Sequence, residues 1–434
     1  MLNTIFFSLA GFLISAPYQN GVVGIQMDLP AQTEVVGTST HPPFCIISSG
    51  NSSINWNLRI EKQPTKEGLT PKQFILDAVK SVESPEGTVT LAQMEMTIGA
   101  QKGWWHVLHH SKQVEQSIIG RLAILAPGQQ MIMATVVTNL EGWKYGQEQI
   151  IRILQSIIPL DPVALLTKKM QSLDAASALL STLNEESLRP FDGFEEWRRI
   201  QAIELDGSLR DIGYAYVAVG LGSMQEIEST NSTKNEPPTG IIVTFQSRLV
   251  PNLETGVVSD TDAKYWMSWD GQDERWSSKT TRWVDKINAT ISETGLRNRP
   301  QLGAPKSKLL VVTQDLTTNL IESPFESEIT NPWLPRALTW ISGLLISNVT
   351  SDTTYRWWCY DNIEKQNILT RIDSVVVHFN ETKTLATQFG EGTKSTNSTF
   401  DNSGHLIQQT IQNNAVITGS TKERLSKIWA PLNL

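Results

Sequence analysis

The chain has 434 residues, more than one hydrophobic core usually organises, which points to two domains. An apolar fraction of 40% with 18% charged residues is that of a folded chain and excludes a disordered one. A formal charge of -8, with no Lys/Arg run longer than a pair, leaves no track for a phosphate backbone, so no nucleic-acid partner is expected.

The first sixteen residues, MLNTIFFSLAGFLISA, are apolar and uncharged and end in Ile14-Ser15-Ala16, a small-residue pattern that predicts signal-peptide cleavage after Ala16. The expected location is exported, periplasmic or extracellular. No stable membrane span is expected after cleavage, since a span needs roughly 20 apolar residues. Residues 17–42 are rich in Gly, Pro and Thr and predict a flexible lead.

From 43 to 160 the pattern predicts an α/β domain. Residues 44–48 and 53–60 read as strands about the turn Ser49-Gly50-Asn51-Ser52, with Ile54, Trp56, Leu58 and Ile60 alternating onto one face. Thr70 caps and Pro71 opens a helix to residue 82 with the stripe Phe74, Ile75, Ala78, Val79 and Val82. Strands follow over 94–98, 104–109 and 121–125 continuing into 131–138, then a helix over 146–158. This ββαβββα order favours an antiparallel sheet with helices packed against it.

That run, with a short helix before its central strands and a long one after them, resembles the PsbP-like α/β sandwich over about a quarter of the chain. The resemblance implies an accessory or binding module rather than an enzyme, and it transfers no functional residue. The whole chain resembles uncharacterised exported bacterial proteins built from such modules.

Asp161-Pro162 ends the first domain, and 161–190 reads as a linker helix that packs through Leu165, Leu166, Met170, Leu173, Leu179, Leu180 and Leu183. The remainder, 191–434, predicts an antiparallel β-rich domain. Its strands fall at 196–203, 213–219, 240–249, 265–269, 276–284, 308–313, 355–360, 367–379, 405–411 and 415–419. Asp206-Gly207 and Asp270-Gly271-Gln272-Asp273 supply turns. Helices are predicted over 335–346, with Leu338, Trp340, Ile341, Leu344 and Leu345, and over 422–429, capped by Ser420 or Thr421. The fold class is α+β: a PsbP-like antiparallel sheet with two helices, then a mainly antiparallel β domain with one inserted and one terminal helix. The second part is similar to LolA-type half-barrels, which implies that the helix over 335–346 could plug a concave face or border an apolar cavity. Its stripe by itself reads as a core helix.

Chemistry-bearing residues are few. Cys45 and Cys359 read as two isolated thiols, buried as small hydrophobes, with their pairing left open. His106, His109 and His110 invite a metal reading, but period 2 sends His106 and His110 to one face and His109 to the other, and no acid or Cys completes a site. They read as a solvated strand end, with no metal expected. Asp260-Thr261-Asp262 and Asp270 to Glu274 lack the spacing of a calcium loop and read as a polar hairpin end. Asp192, Glu195 and Glu196 beside Arg198 and Arg199 read as a surface charge cluster. No G-x-S-x-G, S-x-x-K or H-E-x-x-H occurs, and Gly220-Leu221-Gly222 opens no dinucleotide loop. Catalytic residues are therefore unknown and no cofactor is expected. The leading expectation is a noncatalytic binding or scaffolding protein with a protein partner. The alternatives are a carrier of an apolar or lipid ligand in the second domain and an enzyme whose site follows no motif.

Overall fold

The computed structural model describes residues 18–30, 33–38, 45–49, 55–81, 87–111, 117–204, 206–227, 239–252, 256–284, 287–300, 306–362, 367–411 and 415–430. The predicted signal segment and the turn at 50–52 lie outside them. The chain divides into two units, Met1–Thr167 with Glu391–Lys394, and Lys168–Gly390 with Ser395–Leu434.

The first unit opens with β1 (Tyr18–Asn20) and β2 (Ile25–Met27), then β3 (Thr33–Thr38), β4 (Cys45–Ser49), β5 (Trp56–Pro64) and α1 (Pro71–Ser81). It continues with β6 (Thr88–Ile98), β7 (Gln101–His110), β8 (Ser117–Ala126), β9 (Gln130–Asn139), α2 (Leu140–Gln155) and β10 (Ile158–Pro159). An antiparallel sheet of seven strands runs β3-β4-β5-β9-β8-β7-β6. One of its faces, carrying Trp56, Leu58, Ile60, Trp105, Val107, Leu122 and Val136, packs on Ile150, Ile153 and Leu154 of α2. The alternation expected for Trp56, Leu58 and Ile60 is thus the core face. α2 begins six residues before its predicted start because Asn139 accepts the Gly142 N–H at 2.7 Å. The run read as continuous from 121 to 138 is a hairpin, turned by Gly128 and Gln129 at positive φ.

Two expectations are corrected here. Residues 18–27 fall in the predicted flexible lead but pair as β1 and β2, with β10 on the far side of β2, and Val23, Ile25 and Met27 are fully buried. Gly and Pro marked turns there, not mobility. The helix α3 (Pro162–Ser181) leaves Val163, Leu166 and Met170 exposed and buries Ser172 and Ala176. The predicted stripe packs in its later part, where Leu179, Leu180 and Leu183 join Ala175 and Ala176 in the core, while its earlier members Leu166 and Met170 stay exposed.

After α4 (Glu185–Leu188), the second unit is one sheet. Its strands are β11 (Glu195–Ile203), β12 (Leu209–Ser223), β13 (Thr239–Asn252), β14 (Val257–Ser268), β15 (Glu274–Val284), β16 (Ile287–Asn298), β17 (Lys308–Asp315), β18 (Leu320–Ile321) and β19 (Phe325–Glu328). The helices α5 (Arg336–Trp340) and α6 (Ser342–Ile346) intervene. There follow β20 (Thr353–Asp361), β21 (Asn367–Val377), β22 (Lys383–Phe389), β23 (Thr396–Phe400), β24 (Leu406–Ile411), β25 (Ala415–Ser420) and α7 (Lys422–Trp429). The antiparallel order is β18-β17-β16-β15-β14-β13-β12-β11-β25-β24-β23-β22-β21-β20, with β19 also on β17.

A twisted sheet this wide curls, and here its two ends meet. The chain leaving β19 at one end forms a bridge from Trp333 to Trp358 of β20 at the other, with Leu334 N–H on the Trp358 carbonyl and Trp358 N–H on the Pro332 carbonyl, both at 2.8 Å. Within this roll, α5 packs on β13 and β14, Arg198 of β11 donates to the Trp340 carbonyl, Arg371 of β21 reaches Ser342, and Gly343 lies against Phe400 of β23. Strands on all sides of α5 and α6 therefore place them inside the roll. The predicted single helix breaks at Ile341 (φ -115°, ψ 32°). The strands β16, β22 and β23 escaped prediction because Thr, Ser and Asn occupy many of their positions and dilute the alternation.

Candidate functional site

Among the apolar residues of the rolled sheet's interior sits a buried polar group built on three carboxylates. Glu274 opens β15 and is 1% exposed. One of its oxygens accepts from Arg297 Nε (2.8 Å) and Trp333 Nε1 (2.6 Å), the other from the Arg336 backbone N–H (2.8 Å). Glu293 of β16 accepts from Trp276 Nε1 (2.9 Å) on one oxygen, and from the Tyr360 hydroxyl (2.9 Å) and Asn362 Nδ2 (2.8 Å) on the other. Asp373 of β21 accepts from Trp357 Nε1 (2.8 Å), Arg371 Nε (3.0 Å) and the Thr387 hydroxyl (2.6 Å). The Arg336 guanidinium lies 5.1 Å from the Tyr360 ring, 5.4 Å from Trp276 and 5.7 Å from Tyr265. Such stacking suits a desolvated arginine.

Each carboxylate takes three fixed donors, with at least one on each oxygen, so its burial is compensated by hydrogen bonds. Burial, then the neighbouring Glu293, pushes the Tyr360 hydroxyl well above its usual range, so it stays a donor. The group is a clamp across the seam of the sheet, joining β15 and β16 to β20. Glu274, expected at a polar hairpin end, is therefore an interior residue. Asp262 and Asp270 of that acidic stretch are exposed and Asp260 and Asp273 partly so, with Arg248 on Asp260 and Arg299 on Asp270 and Asp273. The clamp carried one sequence signal, charged residues at inward positions of strands, as with Glu293 and Arg297 flanking Gly295.

An open cleft of about 500 Å³ lies where β11, β24 and β25 meet the start of α7, lined by Glu195, Glu196, Trp197, His405, Ser420 and Lys422 among others. The charge cluster expected at the surface sits here, with Glu196 buried: one oxygen accepts the Leu406 N–H, and the other pairs with Arg198 at 2.5 Å. Residue parity explains it, since Glu196 is buried on β11 while Glu195 faces out. His405 stacks on Phe194 (4.6 Å between centroids) with Nδ1 3.9 Å from Glu196. The Ser420 hydroxyl oxygen is buried and, among the described residues, has no hydrogen-bond partner. Trp197, with Tyr216 against it at 4.5 Å, and the exposed Glu195 and Glu423 give the cleft an aromatic side chain and two accessible carboxylates.

The histidines of the first unit are on β7. His106 and His110 share a face as period 2 requires, but they are 5% and 7% exposed rather than solvated. Burial chiefly, and Arg121 next, hold both imidazoles below their ordinary pKa. His110 Nδ1 is 2.9 Å from the Thr88 hydroxyl. Among the described residues no group of three metal-ligating side chains comes together. Cys45 and Cys359 are both free and buried, one in each unit. Cys45 lies 3.3 Å from the Tyr18 hydroxyl, and burial pushes the Cys359 thiol up to about 12.

These features define an α+β protein, a seven-stranded antiparallel sheet with helices in one unit and a rolled antiparallel sheet around a helical plug in the other. No helix among the described residues is long and apolar enough to cross a membrane. No family model matches the chain, and no curated protein matches it in sequence. Solved structures are similar in part. LpqN, involved in cell envelope biogenesis of Mycobacterium tuberculosis, is 13% identical over 31% of this chain and 81% of its own, with a TM-score of 0.26. Cyanobacterial PsbP (CyanoP) from Synechocystis sp. PCC 6803 is 13% identical over 36% and 98%, with a TM-score of 0.26. A beta-barrel-like protein from Brucella abortus, of a domain of unknown function, is 11% identical over 52% and 94%, with a TM-score of 0.33.

Proposed function

We propose that the chain is an exported, noncatalytic binding module that engages a partner through the cleft beside α7. The observation that carries this reading is the contrast between interior and cleft. Inside the roll, α5 and α6 occupy the space and every oxygen of Glu274, Glu293 and Asp373 has a donor. At the cleft, Trp197, His405, Glu195 and Lys422 remain accessible around open volume. Space taken by Leu338, Ile341 and Leu344 is space denied to a carried lipid. Export is supported by the apolar, uncharged segment 1–16 and its closing small-residue pattern Ile14-Ser15-Ala16.

The test is site-specific photocrosslinking in the native envelope, with the probe at Lys422 on the cleft rim and, as control, at the fully exposed Phe379. A discrete adduct from position 422 alone is expected. Equal or absent labelling at the two positions overturns the cleft reading. Native mass spectrometry of the same material should give an apo mass, and a stoichiometric lipid would establish the carrier instead. The mature chain should begin near Pro17, whereas an intact Met1 on the functional protein would refute export.

A further inference from the structure

Strand registers in the first unit place Gln93, His106, Arg121, Thr135 and Arg59 in one row across β6, β7, β8, β9 and β5. Their neighbours of opposite parity, Trp105, Leu122, Ala134 and Leu58, fill the core against α2. The row therefore lies on the other face of the sheet. There α1 covers only one end, through Ile75 against Ala123 and Met131. Arg121 is half-buried, and among the described residues no carboxylate or other acceptor meets its guanidinium. His106 beside it is 5% exposed, and its Nδ1 has no hydrogen-bond partner. Of the carboxylates on this face, Glu95 pairs with Lys102 at 2.6 Å, Glu61 stands two residues beyond Arg59 on the same strand, and Glu34 lies on the edge strand β3.

A half-buried guanidinium with no counter-charge among the described residues, beside an unsatisfied imidazole nitrogen, is costly unless something supplies oxygen acceptors. A neutral imidazole can place its one N–H on either nitrogen and so donate from Nδ1. Neighbouring strands stand about 4.8 Å apart, so the row sets a forked cation, a ring donor and the Thr135 hydroxyl around one small volume. We propose that this row is a binding site for a phosphate-type oxyanion, with the Arg121 fork as its charge, His106 as second donor and Thr135 and Arg59 beyond. The oxyanion is either free in solution or the headgroup of an anionic phospholipid. This site is independent of the cleft beside α7.

The experiment titrates the full chain with inorganic phosphate while the His106 ring resonances are followed by NMR, and in parallel sediments it with phosphatidylglycerol vesicles, with phosphatidylcholine vesicles as blank. Wild type should show a saturable His106 shift or selective co-sedimentation. Arg121→Gln should weaken that response by about tenfold or more, the value of a lost charge-assisted bond. Arg152→Gln on the exposed face of α2 should leave it unchanged. Response to phosphate identifies the free ion, and response to vesicles alone identifies the headgroup. Arg121→Lys, which keeps the charge and loses the fork, should bind at intermediate strength and covers the case in which the Gln variant fails to fold. No saturable response in either arm, or equal response in wild type and the Arg121 variants, overturns the site.

Discussion

The Tyr360 hydroxyl donates to Glu293 at 2.9 Å, and this bond links β20 at one end of the long sheet to β16 near the other. Glu274 makes the parallel link through Trp333 and Arg297. Buried polar side chains thus close the roll together with the backbone bridge from Trp333 to Trp358. Tyr360→Phe should lower unfolding free energy by about 1–3 kcal/mol, the cost of leaving a buried carboxylate under-satisfied. Glu274→Ala strands Arg297, 2% exposed, and should cost about 3–5 kcal/mol. Urea denaturation followed by tryptophan fluorescence measures both, and a change below a few tenths of a kcal/mol would show that the seam is not held this way.

Trp276 lies across Gly295, its cross-strand partner, so closely that a Cβ on residue 295 would sit 2.0 Å from the indole. Gly295→Ala should destabilise by about 1–3 kcal/mol through overpacking. The same change in a Trp276→Leu background should cost much less, and a double-mutant cycle reads the difference. Additivity would mean that the glycine is required for its backbone rather than for the ring.

Both thiols should resist Ellman's reagent at pH 8 in the folded protein and react in guanidinium, since only the thiolate attacks and burial suppresses it. The Cys359 pKa rises from 9.0 to about 12, so between those values the unfolded chain has released a proton that the folded chain keeps. Stability should therefore fall as pH rises from 9 towards 12. Cys359→Ala should flatten part of that slope in pH-dependent urea melts.

His106 and His110 have the opposite sign. Their folded pKa values lie below 6.5, chiefly from burial, so the unfolded chain takes up protons first as pH falls. Stability should decrease with falling pH through that point. Histidine resonances that titrate at or above the ordinary value would contradict the burial of this strand.

The terminal helix depends on Thr421, whose hydroxyl accepts the Arg424 N–H at 3.2 Å. Thr421→Ala should cost about 1 kcal/mol and Thr421→Ser very little. Because Leu425 and Trp429 pack with Val250, the loss should appear in global unfolding and in the amide exchange of α7 together. Exchange confined to α7 would mean that the helix frays independently of the sheet.

Local chemistry determined much of this protein without tertiary information. Apolar alternation at Trp56, Leu58 and Ile60, the Pro71 helix start, the Asp206-Gly207 turn and the capped helix at Lys422 were all legible, because each depends on neighbours within a few residues. So was the separation of an α/β unit from a β-rich one. Period 2 also assigned His106 and His110 to one face, but not whether that face is wet. The rest required contacts across long separations: Trp333 with Trp358, Glu293 with Tyr360, Arg121 beside His106. A charged residue has the same identity in water and inside a rolled sheet, so Glu196 and Glu274 read as surface until their partners were in place. Burial of a charge is decided by the donors that the fold brings to it, and those lie elsewhere in the sequence.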